Sequence, residues 1–163
     1  MRSFKIILSA RYAALFFAVA FAVAIHAGEL VVGDAVPAFS AKDQFGKEFK
    51  PDAGLHFLLL GFDMGISKTA NLKLADLGAG WLEKHSAAYV LDIHTMPGIA
   101  RLFAFPKLRK YPHRIMLGDD EKMLAVFSRQ PEKITVLVLT PTGKISEIRW
   151  WNPATESLAA VLR

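Results

Sequence analysis

His56-Phe57-Leu58-Leu59-Leu60-Gly61-Phe62-Asp63-Met64-Gly65-Ile66-Ser67-Lys68-Thr69-Ala70-Asn71 is the stretch whose reading decides the fold. The apolar run 57–62 is too short for a helix and ends in Asp63 and Gly65, and a helical pattern begins just after Ser67. A buried strand that feeds a turn and then a helix is the arrangement by which many α/β proteins hold an active site.

Downstream, Leu72, Leu74, Ala75, Leu77, Trp81 and Leu82 give an apolar stripe that predicts a helix over about 67–84, with Gly78 and Gly80 as weak points inside it. Residues 87–92 are apolar up to Asp92, which predicts a strand buried on both faces, as in a parallel sheet. Pro97 suits the first position of a helix over about 98–105 that stops before Pro106. A short strand follows over 114–118, then 121–127 as an extended piece or one helical turn. Ile134-Thr135-Val136-Leu137-Val138-Leu139-Thr140 is the strongest strand in the chain, and Pro141-Thr142-Gly143 turns it into a hairpin with 144–150. Asn152 or Thr155 is expected to cap a final helix to Leu162. Upstream, Asp43 to Gly46 is turn chemistry between two short extended pieces.

The opening Gly33-Asp34-Ala35-Val36-Pro37-Ala38-Phe39, followed by Asp43-Gln44-Phe45-Gly46-Lys47, resembles the N-terminus of the redoxins. These are thioredoxin-fold proteins of the peroxiredoxin and thiol-disulfide oxidoreductase type. The order of the later elements extends the resemblance over about 32–162. It implies an α/β, thioredoxin-like fold with an N-terminal β-hairpin and a mixed central sheet flanked by helices. In redoxins the catalytic cysteine sits at the start of the helix after the first central strand, where the helix N-terminus stabilises a thiolate. The resemblance places that position near Ser67 and its partner near Ala70, but the chain contains no cysteine. Thiol chemistry, disulfides and thiolate metal sites are therefore excluded. Ser67 is read instead as a helix N-cap. The family's cis-proline position falls near Ile134, and Pro131 lies three residues too early.

A second constellation is Asp63, Asp92 and Asp119, each at the end of a predicted strand, with His94 two residues after Asp92. If the first two central strands are parallel neighbours, Asp63 and Asp92 share the carboxyl edge where open α/β sheets bind ligands. Two carboxylates and a histidine suit a divalent ion or acid/base chemistry, and aspartates also end strands simply as turn and cap residues. The ligand-binding candidates are Asp63, Ser67, Asp92, His94 and Ile134, with no catalytic residue and no metal ligand assigned.

The chain has 163 residues, 53% of them hydrophobic, enough for one domain with a core plus an additional apolar segment. Arg2, Lys5 and Arg11 precede the uncharged run 12–25, the layout of a signal peptide ending at Ala24 or, preferably, Ala27. An uncleaved anchor is the alternative. The expected organisation is a signal peptide over 1–27 and one domain over 28–163. The leader carries three of the 20 Lys and Arg and none of the 15 Asp and Glu, so 17 basic residues face 15 acidic ones and the remainder nets +2. That balance gives no footprint for nucleic acid. The basic stretch 106–114 is read as a solvated loop rather than a contact for an acidic partner or anionic lipid. Of Trp150 and Trp151, adjacent in a strand, only one can be core. No phosphate loop, dinucleotide fingerprint or zinc-protease motif occurs, so no cofactor is expected.

The expectation is a periplasmic, non-redox protein that binds a protein, peptide or small ligand at the edge around 63–67, 92–96 and the loop before Ile134. No nucleic-acid partner is expected, and no membrane contact after leader removal. The alternatives are an enzyme of another class using Asp63, Asp92 and His94, and a structural subunit using an exposed Trp and the basic loop.

Overall fold

The computed structural model describes residues 28–51 and 54–163. The leader expected over 1–27 lies outside the described residues. The elements are β1 (Ala41–Asp43), β2 (Glu48–Phe49), β3 (Phe57–Gly61), α1 (Met64–Leu77), α2 (Trp81–Lys84), β4 (Ala87–Asp92), α3 (Gly98–Leu108), β5 (Met116–Gly118), α4 (Glu121–Ala125), β6 (Ile134–Leu139), β7 (Ile145–Trp151) and α5 (Leu158–Val161). The strands form one seven-stranded mixed sheet in the order β2-β1-β5-β4-β3-β6-β7. β3, β4 and β5 are parallel neighbours, with Gly61 opposite Leu91 and Asp92 opposite Gly118, and the remaining pairings are antiparallel.

The sheet forms because its central strands bury both faces. Leu58, Leu59 and Leu60 are all fully buried, and every residue of β4 is buried. Each such Leu contributes about 1.5–3 kcal/mol of burial. Side chains alternate between two cores. Leu59, Tyr89, Leu91 and Val136 pack with α1, α2, α3 and α5 through Leu74, Leu82, Leu108 and Leu158. Leu58, Leu60, Val90 and Leu137 pack on the other face with Leu124 of α4 and with Leu30, Val36 and Phe39 of the N-terminal segment.

Several boundaries differ from the sequence reading. The helix expected over 67–84 starts earlier and is two helices. Gly78 and Gly80 adopt φ of 91° and 76°, which only glycine takes up readily, and the chain turns there. α3 runs through Pro106 rather than stopping before it. Pro106 has no N–H to offer the Leu102 carbonyl, and Leu102 lies on the exposed face of the helix, where a missing bond costs least. The last helix is one short turn beginning after Ser157; Asn152 instead accepts from the Ala154 N–H in a local turn, and Thr155 does not cap. Trp151 is the buried member of its pair.

Candidate functional site

The carboxyl edge of β3, β4 and β5 carries the candidate site. At its centre α1 begins directly behind β3. Asp63, in extended conformation, is the N-cap, and its Oδ1 accepts the Ile66 N–H at 2.9 Å. This corrects the cap reading of Ser67. The helix starts three residues upstream of it, so Ser67 lies inside the helix and is buried. The first turn of α1 is thus Met64 to Ser67, and one of its free N–H groups, that of Ile66, is satisfied by the chain's own carboxylate.

Beside this cap lies an open groove of about 370 Å³, lined by Asp63, Gly65, Ile66 and Thr69 of α1, Glu132 of the loop before β6, and Asn152 and Ala154 after β7. Glu132 has φ of 57°, the left-handed region that few non-glycine residues occupy. Asp63 and Glu132 place two carboxylates on the groove, and no lysine or arginine lines it. Neither Glu132 nor Asn152 was among the sequence candidates. Ile134, two residues beyond Glu132, is fully buried and lines no part of this groove. There is no cis peptide bond among the described residues.

Ser67 instead faces inward. Its Oγ and the Tyr89 hydroxyl converge over Gly61, where a Cβ would lie 2.5 Å from one and 2.7 Å from the other. Both hydroxyls are buried and lack a well-formed hydrogen bond. Burial pushes the Tyr89 phenol far above its ordinary range, against a small opposing effect of the Ser67 hydroxyl, so it stays neutral. One turn on, Asn71 donates to the Ser67 carbonyl at 2.9 Å and meets His113 Nε2 through its Oδ1 at 3.0 Å. Burial holds His113 down at about 4 from its ordinary value near 6.5, and its Nδ1 has no partner.

Asp92 and His94 do come together. Asp92 Oδ1 accepts the His94 backbone N–H at 3.0 Å and lies 2.6 Å from His94 Nδ1. The Arg129 guanidinium is 3.9 Å from Asp92 Oδ2 and sits 4.2 Å above the Phe62 ring. Asp119 pairs through both oxygens with Arg101 at 2.5 and 2.6 Å, and the pairing with Arg101 lowers its pKa. Arg101 also donates to the carbonyls of Met96 and Ile93, which fixes the loop after β4. Among the described residues no three His, Asp or Glu side chains form a metal-binding group. Asp63 and Asp92 share the sheet edge, each bonded to its own following residues, and the groove beside Asp63 is lined by neither Asp92 nor His94.

The exposed tryptophan expected of a structural subunit is also missing. Trp151 is buried with its Nε1 donating to the Glu156 carbonyl, and Trp150 is only partly exposed.

No protein-family model matches the sequence, and no curated protein is similar to it in sequence. Solved structures are similar. The thioredoxin domain of a thiol-disulfide oxidoreductase from Bacteroides vulgatus superposes with a TM-score of 0.53 at 12% identity, over 83% of this chain and all of that one. A peroxiredoxin-like protein from Aquifex aeolicus gives 0.54 at 12% identity, over 82% of this chain and 85% of that one. A thio-disulfide isomerase from Thermus thermophilus gives 0.53 at 16% identity, over 82% and 93%. The chain has the thioredoxin fold. It carries that fold without any cysteine, so the thiol chemistry named for such neighbours is closed to it. Among the described residues no helix is long and apolar enough to cross a membrane.

Proposed function

We propose that this thioredoxin-fold chain is an exported, non-redox protein that binds a protein, peptide or small ligand at the carboxyl edge of its sheet. The observation that carries the reading is the groove at the start of α1. Three separate chain segments converge there, with polar groups from each. Its two carboxylates favour a ligand segment with positive charge or N–H donors. Among the expected site residues, only Asp63 lines this groove. Export rests on the leader-like run before Gly28, and N-terminal sequencing of the exported form should place its start at Ile25 or Gly28.

The test is capture of short basic and acidic peptides by the immobilised protein, compared with Asp63→Asn/Glu132→Gln. Both residues are exposed, so the double variant keeps the fold. Retention of basic peptides by the parent and their loss in the variant is expected. Equal retention of acidic peptides, or retention unchanged in the variant, refutes the reading.

One observation favours a second reading. Asp92 engages Nδ1 of His94 and leaves Nε2 without a partner among the described residues, the orientation a general base needs. Acid/base chemistry on this scaffold then rests on Asp92 and His94 alone, and it predicts a catalysed reaction abolished in His94→Gln.

A further inference from the structure

Helix α3 turns an apolar stripe to solvent. Ile99, Leu102 and Phe103 are 71%, 72% and 69% exposed, and Leu108 is the helix's one buried residue. With the exposed Pro106 they stand at i, i+3, i+4 and i+7, a single face over three turns. Large apolar side chains scattered singly on a surface need no explanation, whereas a contiguous stripe marks a surface that something covers.

The charge around this stripe is one-sided. From Ile93 to Gly118 the chain has five lysines and arginines and no aspartate or glutamate. Arg101 and Arg114 are engaged by Asp119 and Asp43, and Arg109 gives its Nε to the Gln44 carbonyl. Lys107 and Lys110 are exposed and make no ion pair among the described residues. Lys107 follows Phe103 by four residues on the helix, next to it on the same face, and Lys110 lies in the turn just past the helix C-terminus. Cations at a helix C-terminus also suit its dipole, but that effect does not call for an apolar stripe beside them.

We infer that α3 lies in the surface of an anionic lipid bilayer, with Ile99, Leu102 and Phe103 entering the headgroup boundary and Lys107 and Lys110 meeting lipid phosphates. An apolar face flanked by lysines is the chemistry of interfacial helices. A second copy of the chain fits less well, because a two-fold contact across this face brings the same unpaired lysines together. The inference goes beyond ligand binding in the groove and reverses the expectation of no membrane contact. It also changes the reading of residues 106–114, whose lysines serve the preceding helix.

The absence of cysteine makes a site-specific test direct. A polarity-sensitive fluorophore is attached to the full chain at Leu102→Cys or, as a control in the β6–β7 turn, at Thr142→Cys. Both sites are exposed, and circular dichroism checks that each variant is folded. Vesicles of pure phosphatidylcholine, or with about a third phosphatidylglycerol, are then titrated in. The expected result is a blue shift and rise in emission at 102 with anionic vesicles only, none at 142, and an apparent affinity about tenfold or more weaker in Lys107→Glu/Lys110→Glu. No response at 102, an equal response at 142, or a response indifferent to lipid charge overturns the inference. So does a response at 102 to polyglutamate but not to vesicles, which assigns the face to an acidic polypeptide instead.

Discussion

Acid should destabilise this fold through His113 well above the pH at which its carboxylates protonate. The side chain is buried under α1 and held neutral, at about 4 against an ordinary value near 6.5. Above pH 6.5 folded and unfolded chains both hold it neutral, so it contributes no pH dependence. As pH falls from 6.5 towards 4 the unfolded chain takes up the proton and the folded chain does not, so stability declines across that window. Below 4 both forms are protonated and the loss is complete. Each pH unit of the gap is worth about 1.4 kcal/mol, so the whole gap costs about 3 kcal/mol. That corresponds to roughly 8–12 °C in Tm for a domain of this size. Urea denaturation in half-unit pH steps from 7.5 to 4.5, for the parent and for His113→Gln, reads the effect. Glutamine can still donate to Asn71 Oδ1 but does not titrate. The parent curve should fall more steeply than the variant's by about 2–3 kcal/mol over the window. Parallel curves would refute the assignment of a buried neutral histidine.

Gly61→Ala should cost about 2–3 kcal/mol, because its Cβ meets the Tyr89 and Ser67 hydroxyls, and adding Ser67→Ala should recover part of that loss in denaturant titrations. Ser67→Ala alone should be neutral or slightly stabilising, since it removes a buried hydroxyl with no good partner. Asp63→Ala should lower stability by about 1 kcal/mol through loss of the α1 cap, with faster amide exchange at Ile66. Asp43 is buried, which opposes its charge, yet the N–H groups of Lys47 and Phe45 and the Arg114 guanidinium hold its pKa below the usual value. Its contribution is therefore present above about pH 4 and lost only below it. Asp43→Asn should lower stability at pH 7 by about 1–3 kcal/mol and leave the slope between pH 6.5 and 4.5 unchanged.

The sheet was legible because β3, β4 and β6 are buried on both faces, and a run of apolar residues states that directly. The start of α1 was misread for a physical reason. Of its core-facing residues Ser67, Ala70, Asn71 and Leu74, only the last is a large apolar side chain, and Asn71 bonds to His113. Leu72 and Leu77, which set the apparent apolar stripe, are 52% and 39% exposed. Apolar periodicity therefore mixed buried Leu74 and Leu82 with exposed Leu72 and Leu77 and gave no signal for the first turn, so Ser67 looked like a cap. Asp63 was legible as a residue of the carboxyl edge because it closely follows a strand there. Glu132 and Asn152 carry no local signal. Only the pairing of β6 with β3 and β7 brings them beside α1. The pairing of Asp92 with His94 was visible from their spacing, whereas Arg129 reaches Asp92 from a distant loop.

The proposed function has the groove at the α1 N-terminus bind a ligand on a scaffold that has no thiol. Amide chemical-shift mapping of the isotope-labelled protein, titrated with a basic peptide retained in the capture experiment, tests it most directly. Shifts centred on Gly65, Ile66, Thr69, Glu132 and Asn152, and absent in Asp63→Asn/Glu132→Gln, are the expected result. Shifts centred elsewhere on the molecule, or the same shifts in the double variant, would contradict it.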